Sequence, residues 1–167
     1  MRRKDREMNR EFALYVVDKC EYAVLGMTDS DGMAYTVPIS IVRDGDNVYF
    51  HSAQSGMKVD CLARDNRVCL TCVGDTNRLK DKFTTEFESA IARGRAYAVT
   101  DGKEKIHALR LLCERHTPEN MHEFDAAIER SIARTAVYRI EIDEISGKRK
   151  KYDAEGKEIK FGGTEQK

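Results

Sequence analysis

The sequence predicts a mainly β protein of the α+β class, a six-stranded antiparallel barrel with peripheral helices. Short segments rich in β-branched and aromatic residues recur along the chain, and compact turns of Asp, Gly and Asn separate several of them. Helical periodicity is confined to a few stretches between those segments. At 167 residues the chain is long enough for one domain with a substantial core and short for two.

The amino-terminal part of the chain contains one helix pattern followed by a hairpin pattern. Apolar residues recur at helical spacing within residues 5–19, which predicts an amphipathic helix. Residues 22–28 and 35–42 have strand patterns, and the turn at residues 29–32 joins them. Pro38 has no N–H to donate to a sheet, so it predicts a bulge or a place where the ladder gives way to a ligand.

A strand, a polar loop and a short helix follow the tight turn at residues 44–47. Residues 48–51 form the third strand pattern. The small polar residues 52–56 lead into an amphipathic run, Met57–Arg64, and a fourth strand follows at residues 68–73. The polar residues 74–82 predict an exposed loop.

The second half of the chain predicts a long strand, two helices and a last strand. Residues 87–100 form the fifth strand, in which Gly94 indicates a bend or bulge. One helix follows Asp101 and Gly102, and a second begins near Pro118. Alternating apolar residues at 136–145 predict the sixth strand.

The chain is expected to form a single domain over residues 1–148 with a polar tail over residues 149–167. Residues 146–148 predict a turn out of the last strand. The tail has too little apolar surface to become ordered on its own.

The composition excludes several classes of function. Lys plus Arg and Asp plus Glu both total 29, so there is no basic field to attract nucleic acid or a membrane surface. No apolar run approaches membrane-spanning length, and the basic amino-terminal residues lack the apolar stretch of a signal peptide. The five cysteines fit a reducing cytoplasm. Cys69 and Cys72 form a CxxC pattern, but within a strand their side chains point to opposite faces, which favours packing over metal or redox use.

The strand, loop and helix around residues 48–64 have the features of a phosphate-binding site. Ser52 supplies a hydroxyl, Gly56 lets the backbone approach a ligand, and Lys58 adds a positive charge where a helix begins. The glycines of a Walker loop or a dinucleotide-binding fingerprint are missing. The alternative is an ordinary corner between a strand and a helix.

The same stretch, VYFHSAQSGMKVDCLARDNRVCL (residues 48–70), resembles the signature of the flavin-binding split-barrel proteins, the pyridoxamine 5'-phosphate oxidase-like family. It is similar above all to the branch named for 5-nitroimidazole antibiotic resistance. Residues 1–8, 20–50 and 88–109 agree in the same order, so the resemblance covers almost the whole of residues 1–148. It implies a six-stranded split barrel.

The resemblance also implies FMN as the cofactor. In the family a lysine that matches Lys58 binds the flavin phosphate, with Ser52 and Gly56 matching the donors of the phosphate loop. The strand that lies along the flavin ring matches Thr36, Val37, Pro38 and Ile39. Ser89 matches a polar residue near the flavin on the fifth strand.

His51 is a candidate catalytic residue on the same grounds. A lone histidine at a strand end is more often a hydrogen-bonded structural group. The nitroimidazole-resistance branch carries a histidine at this place, which implies a position near flavin and substrate and a role as proton donor. The remaining histidines, His107, His116 and His122, lie in helical patterns without metal-ligand spacing and are interpreted as surface or capping residues.

The chain departs from true pyridoxamine-phosphate oxidases at several positions. Met57 occupies the position at which they have an arginine before the lysine. The negative charge of the phosphate must therefore be neutralised by another residue or less completely. The carboxy-terminal arginine and tryptophan that hold their substrate are absent, because the chain contains no Trp and ends in FGGTEQK. These differences argue against vitamin B6 synthesis.

The resulting expectation is an FMN-dependent oxidoreductase, a nitroreductase or an enzyme for another small electron-poor acceptor. Two alternatives stay open: a flavin-binding protein without turnover, and a split barrel that binds haem or the deazaflavin F420. A small barrel fills its interior with side chains, so the flavin must lie outside it, and the family covers it by pairing two barrels. We therefore expect a homodimer with FMN at the interface. The candidate dimer surface includes the fifth strand and four alternating residues, Val137, Tyr138, Ile140 and Ile142. The alternative is that these four residues form the barrel core.

Overall fold

The computed structural model describes residues 2–161, which form one sheet of eight antiparallel strands with four α-helices around it. The strands are β1 (Glu7–Met8), β2 (Ala23–Thr28), β3 (Ala34–Ile39), β4 (Val42–Asp44), β5 (Asn47–Ala53), β6 (Arg67–Leu79), β7 (Thr84–Ala98) and β8 (Thr135–Lys150). The helices are α1 (Arg10–Lys19), α2 (Met57–Arg64), α3 (Gly102–His116) and α4 (Phe124–Ser131). Short 3₁₀ turns occupy Lys4–Arg6, Pro118–Glu123 and Ile132–Arg134.

The fold class predicted from the sequence is confirmed. The strand order is β3-β2-β6-β7-β8-β5-β4, with β1 pairing on β8, and every pairing is antiparallel. The six longer strands correspond to the six predicted ones, and β1 and β4 are additional strands of two and three residues. The sheet is not closed, because β3 and β4 end the order without pairing with each other.

The two ends of the sheet are nevertheless held together by the chain, since β3 runs into β4 through only two residues. β4 pairs with Asn47, Val48 and Tyr49, the first residues of β5. The rest of β5, from Phe50 to Ala53, pairs only with β8 among the described residues. We call the gap between the outer edge of β3 and this part of β5 the split.

Pro38 lies on this outer edge. It pairs with Val24 in an unbroken register, without the bulge that the sequence had suggested as one possibility. Because β3 is the terminal strand, the missing N–H weakens no further pairing. Gly94 does mark the predicted irregularity, since the β7–β8 register shifts between Arg93 and Gly94. A Cβ on Gly94 would lie 1.9 Å from the carbonyl oxygen of Glu141, so only glycine fits.

Several element boundaries differ from the prediction. The first helix begins at Arg10 rather than at residue 5, because Asn9 caps it by accepting a hydrogen bond from the N–H of Phe12 at 2.9 Å. β6 continues through most of the predicted loop at residues 74–82, pairing with β7 as an exposed two-stranded arm whose polar side chains face water. The helix expected from Thr117 onward is a 3₁₀ turn followed by α4.

The predicted turn at residues 146–148 is wrong, because β8 continues to Lys150. Gly147 is needed there for packing and not for a turn. A Cβ at this position would lie 3.2 Å from atoms of Ala13, Met8 and Phe12, so α1 lies directly against the strand.

Two apolar clusters stabilise the structure. The larger fills the barrel and includes the fully buried side chains of Leu25, Phe50, Leu70 and Ile140. The smaller lies between α3, α4 and the sheet; its buried members are Val42, Tyr49, Ala108, Leu109, Leu112, Phe124 and Val137. Val137, Tyr138 and Ile140 are therefore buried within the monomer, which removes them as candidate dimer surface.

The described end of the chain lies against its beginning. The Phe161 N–H donates to the carbonyl oxygen of Asp5 at 3.0 Å, and Arg6 and Glu158 form an ion pair at 2.7 Å. The domain boundary after residue 148 stays a prediction, and the final residues 162–167 lie outside the described residues.

No helix within residues 2–161 is long and apolar enough to cross a membrane.

Candidate functional site

The start of α2 has main-chain N–H groups available to a ligand. The first N–H groups of any α-helix lack partners within the helix. The residue before α2 is Gly56, which has no side chain to cap them, and its φ of +123° is a conformation that other residues rarely adopt. A Cβ at Gly56 would meet nothing within 4 Å, so the requirement for glycine is conformational. The site is thus open to an anion.

Lys58 adds a positive charge to the same place. Its side chain is half-buried, and its Nζ lies 5.4 Å from the centre of the Phe50 ring. Burial lowers the pKa of Lys58. No carboxylate of residues 2–161 lies within ion-pair distance of its Nζ. A bound anion would compensate the desolvation that the chain itself leaves uncompensated.

His51 lies close to Lys58 at the end of β5. Its side chain is exposed on one side, yet the surrounding protein lowers the pKa of the imidazole through desolvation, and the positive charges of Lys58 and His116 lower it further. Ser52, the next residue, is half-buried. His51 and Ser52 lie near the end of β5, and Gly56 and Lys58 lie at the start of α2; their role as a phosphate loop stays a prediction.

The β3 residues alternate between two faces of the sheet. Val37 packs against the barrel core and Ile39 is buried in it, whereas Thr36 and Pro38 are exposed. Thr36 lines a groove of about 460 Å³ on the outside of the sheet, together with Gly26, Cys69 and Arg93. Its volume falls within the range of small-molecule sites.

Ser89 lies farther away. It is half-buried on β7, paired with Val73 on one side and Lys148 on the other. β7 is three strands from β3, roughly 14 Å along the sheet at the usual strand spacing. A contact between Ser89 and the candidate site stays a prediction.

His116 also lies near the candidate site around His51, although nothing in the sequence indicated this. His107 and His122 are exposed, as predicted, but His116 is half-buried and its Nε2 lies 2.9 Å from the carbonyl oxygen of Ile41 in the link between β3 and β4. It is the last residue of α3. The only signal in the sequence was a basic residue at a helix end, which is common.

Cys69 and Cys72 lie on opposite faces of the strand as predicted, but only Cys72 packs in the core. Cys72 is buried in the core, and Cys69 lies on the opposite, outer face, where it lines the groove beside Thr36. Residues 2–161 contain no group of three or more His, Cys, Asp and Glu side chains that could hold a metal ion.

Comparison with known proteins places these features in a family. The sequence profile described as pyridoxamine 5'-phosphate oxidase matches residues 9–149. No functionally curated protein matches the chain.

Solved structures extend the comparison. The crystal structure of a proposed 5-nitroimidazole antibiotic resistance protein from Bacteroides thetaiotaomicron is 25% identical, covers 86% of both chains and has a TM-score of 0.72. A flavocytochrome from Azotobacter vinelandii is 23% identical over 95% of this chain and 80% of its own, with a TM-score of 0.73. The FAD and heme binding protein from Mycobacterium smegmatis is 20% identical over 87% of this chain and 73% of its own, with a TM-score of 0.73. The last two similarities establish the fold alone.

Proposed function

Because this chain belongs to the pyridoxamine 5'-phosphate oxidase family, we propose that it binds FMN and acts as a flavin-dependent oxidoreductase. The observation that carries the proposal is the start of α2, where uncapped N–H groups and the half-buried Lys58 converge. A phosphate monoester suits this place, because it accepts several hydrogen bonds and neutralises the lysine. Ser52, near the end of β5, would donate a further hydrogen bond to the phosphate.

The flavin ring would lie in the split, along Thr36 to Ile39. Two features support this position: β3 is a terminal strand of the sheet, and Phe50 to Ala53 of β5 pair only with β8, so among residues 2–161 each carries main-chain groups without a sheet partner on one side. Such groups can bind the polar edge of a planar heterocycle. The half-buried side chain of Val37 would supply an apolar contact from β3.

Bound FMN would supply hydride transfer to an electron-poor acceptor, such as the nitro group of a nitroimidazole. The chain's own contribution is orientation and proton supply. His51 is exposed beside the split and is a candidate proton donor to the acceptor. The lowered pKa of His51 means that its protonated form is populated mainly below neutral pH.

The absorption spectrum of the purified protein, followed by titration with FMN and with riboflavin, tests this proposal. Riboflavin lacks the phosphate, so we expect it to bind at least tenfold more weakly than FMN if the phosphate makes a charge-assisted contact. Turnover with NADH or NADPH and a nitroimidazole then separates an oxidoreductase from a flavin-binding protein without turnover. Equal affinity for FMN and riboflavin would remove the phosphate site.

We also propose that the protein is a homodimer with FMN at the interface. The outer face of the sheet offers a suitable surface: one row of paired residues crosses five strands and is half-buried or exposed throughout. This row consists of Pro38, Val24, Thr71, Ile91 and Ser146. Arg93 and Glu144 are paired in the neighbouring row, so the face carries both signs of charge and can complement a second copy across a two-fold axis.

A haem-binding function is the second candidate, and the state of His51 favours it. A neutral, exposed imidazole is the form that coordinates haem iron, and the low pKa of His51 keeps it neutral. The similar protein from Mycobacterium smegmatis is described as binding both FAD and heme. A Soret band in the spectrum would indicate haem, and a deazaflavin band would indicate F420.

The five free cysteines support our further proposal of a cytoplasmic location.

A further inference from the structure

A row of paired residues crosses four strands on the outer face of the sheet, from β3 to β7. In order along the row it consists of Thr36, Gly26, Cys69 and Arg93. All four line the groove of about 460 Å³ described above. A Cβ at Gly26 would lie 3.3 Å from the carbonyl oxygen of Cys69. Glycine therefore leaves the floor of the groove open between the two ends of the row.

The groove carries an excess of positive charge. Three arginines and one aspartate line it: Arg67, Arg93, Arg95 and Asp143. Arg95 is paired with Asp143 at 2.9 Å, and Arg67 is paired with Asp65 at 2.6 Å. Arg93 has no carboxylate of residues 2–161 within ion-pair distance. It is the arginine of this groove whose charge the described chain leaves free for a ligand.

A second groove on the other side of Arg93 has the opposite balance of charge. This groove of about 680 Å³ is lined in part by β8. Its acidic residues Glu7, Asp143 and Glu144 outnumber its basic residues Arg10 and Arg93. An anion is therefore favoured in the first groove, where arginines flank Arg93, and disfavoured in the second.

The chemistry of the first groove suits a carboxylate on a flat ring. The guanidinium group of arginine is planar and matches the two oxygens of a carboxylate with two parallel hydrogen bonds. The open floor at Gly26 admits a flat group close to the main chain. Thr36 ends the row three strands from Arg93, roughly 14 Å away at the usual strand spacing. A small aromatic molecule fits within that length.

We propose that this groove binds a small planar aromatic carboxylate, with the carboxylate on Arg93 and the ring over Gly26 towards Thr36. The binding stands on the groove alone. Thr36 also belongs to the strand proposed to lie along the flavin ring, so an electron-poor group at the far end of the ligand would approach the flavin. The groove thereby defines a class of acceptor, nitro-substituted aromatic acids, and this second step rests on the proposed function.

The acceptor reaction is balanced with the electron donors already named. Reduction of a nitro group to a nitroso group consumes two electrons and two protons, breaks one N–O bond and releases one water. NADH or NADPH supplies a hydride, which carries both electrons and one proton, and the second proton comes from solvent or a protein donor. Arg93 takes no part in the bond changes and acts only on binding of the acid.

Calorimetric titration of the full chain with two matched probes tests the groove. The probes are 4-nitrobenzoate and 4-nitrobenzyl alcohol, which share the ring and the nitro group and differ in charge. We expect 4-nitrobenzoate to bind about fivefold more tightly to the wild type, and Arg93→Gln to abolish that preference. Arg93→Lys keeps the charge without the planar fork and should recover part of it. Equal affinity for the two probes in the wild type would overturn the proposal.

Arg130→Gln is the matched control. Arg130 is exposed on α4 and has no ion pair within residues 2–161, so the substitution removes the same charge at a distance from the groove. It should leave the preference for 4-nitrobenzoate intact. A loss of preference equal to that of Arg93→Gln would assign the effect to net charge and overturn the proposal. Light scattering on Arg93→Gln should give the wild-type mass, since a change of mass would assign Arg93 to the dimer interface instead.

Turnover separates this inference from the proposed function. With FMN and NADPH, Arg93→Gln should raise the KM for 4-nitrobenzoate about fivefold and leave the KM for 4-nitrobenzyl alcohol unchanged. A protein that prefers 4-nitrobenzoate through Arg93 but binds no FMN would reject the proposed function and leave the groove standing. A protein that binds FMN and reduces both probes without preference would reject the groove and leave the proposed function standing.

Discussion

Lys58 carries a positive charge into a half-buried place where no carboxylate within residues 2–161 neutralises it. If this charge binds the FMN phosphate, Lys58→Ala should weaken FMN binding by about 1.5–3 kcal/mol, the loss expected for a charge-assisted hydrogen bond. Fluorescence titration measures the change. Lys103→Ala is the control, because Lys103 is an exposed lysine on α3, another helix start.

Riboflavin sharpens this prediction. Lys58→Ala should leave riboflavin affinity unchanged, because the lost contact is to the phosphate alone. A variant that loses FMN and riboflavin equally would show that Lys58 supports the fold of the loop. A variant that loses neither would place the phosphate elsewhere.

His51 predicts the pH dependence of turnover. A proton donor must be protonated, and the lowered pKa of His51 places its protonated form below the ordinary histidine range. The rate of acceptor reduction should therefore fall as pH rises through that lowered pKa, approaching a tenfold decrease per unit above it. Stopped-flow reoxidation with a nitroimidazole measures the rate.

His51→Ala should slow reoxidation and abolish this pH dependence while FMN stays bound. His122→Ala is a suitable control, because His122 is exposed and, within residues 2–161, is bonded only to the carbonyl of Glu119 close to it in sequence. Reoxidation at wild-type rate in His51→Ala would leave His51 with a structural role.

Individual site residues were predictable where the relevant contacts are local. His51, Gly56 and Lys58 lie within eight positions of one another, so a strand, a glycine and a helix start in succession indicate an anion site. His116 could not be found in this way. It lies 75 residues from its partner Ile41, and only the packing of α3 on the sheet brings the two together.

At the scale of elements, the close packing of α1 on β8 gives a stability prediction. A Cβ at position 147 would lie 3.2 Å from three side chains, so Gly147→Ala requires α1 to shift. We expect a loss of about 1–3 kcal/mol in the free energy of unfolding, the range for overpacking a core. Urea denaturation followed by circular dichroism measures it.

Gly102→Ala is the matched control for that substitution. A Cβ at Gly102 meets nothing within 4 Å, and the residue begins α3. Alanine should therefore be neutral or stabilise the protein by up to about 1 kcal/mol. Equal stability of the two variants would show that α1 is packed more loosely on β8 than the structure indicates.

The same glycine explains why element boundaries were harder to predict than element types. A glycine between serine and lysine near a strand end is typical of a turn, but here it makes room for a helix that begins more than 130 residues earlier. The arm of β6 and β7 was missed for the opposite reason. Residues 75–78 of β6 are all exposed, so this stretch lacks the alternation of apolar and polar residues that marks a strand with one buried face.

At the scale of the whole molecule, we expect a homodimer of about 38 kDa, twice the chain mass of 19.1 kDa. Ile91 is 44% exposed in the middle of the outer face, so Ile91→Glu would place charges against each other across a two-fold interface. Light scattering should give the monomer mass for this variant, with FMN affinity reduced. Ile106→Glu is the control, because Ile106 is 38% exposed on α3 and lies away from that face.

A monomer that retains one FMN per chain would contradict the shared site. The wild-type protein provides that test as well as the variant does. The sequence could predict the fold class, because alternation and turns determine it, whereas the outward-facing site stays a prediction. It could not identify the dimer surface, since an alternating apolar strand such as β8 looks the same whether its apolar face is buried or exposed.

The contact between the first and last described segments, near Asp5 and Phe161, has a practical consequence. Asp5 and Phe161 are joined by a main-chain hydrogen bond of 3.0 Å, and Arg6 and Glu158 reinforce the contact. A short linker from residue 161 to residue 2 could therefore close this segment into a ring, and new termini could be opened at the exposed tip of the arm near Asp81. Such a circular permutant would keep every strand pairing. The unit could equally be inserted into a surface loop of another protein, with the proposed flavin as an internal optical reporter.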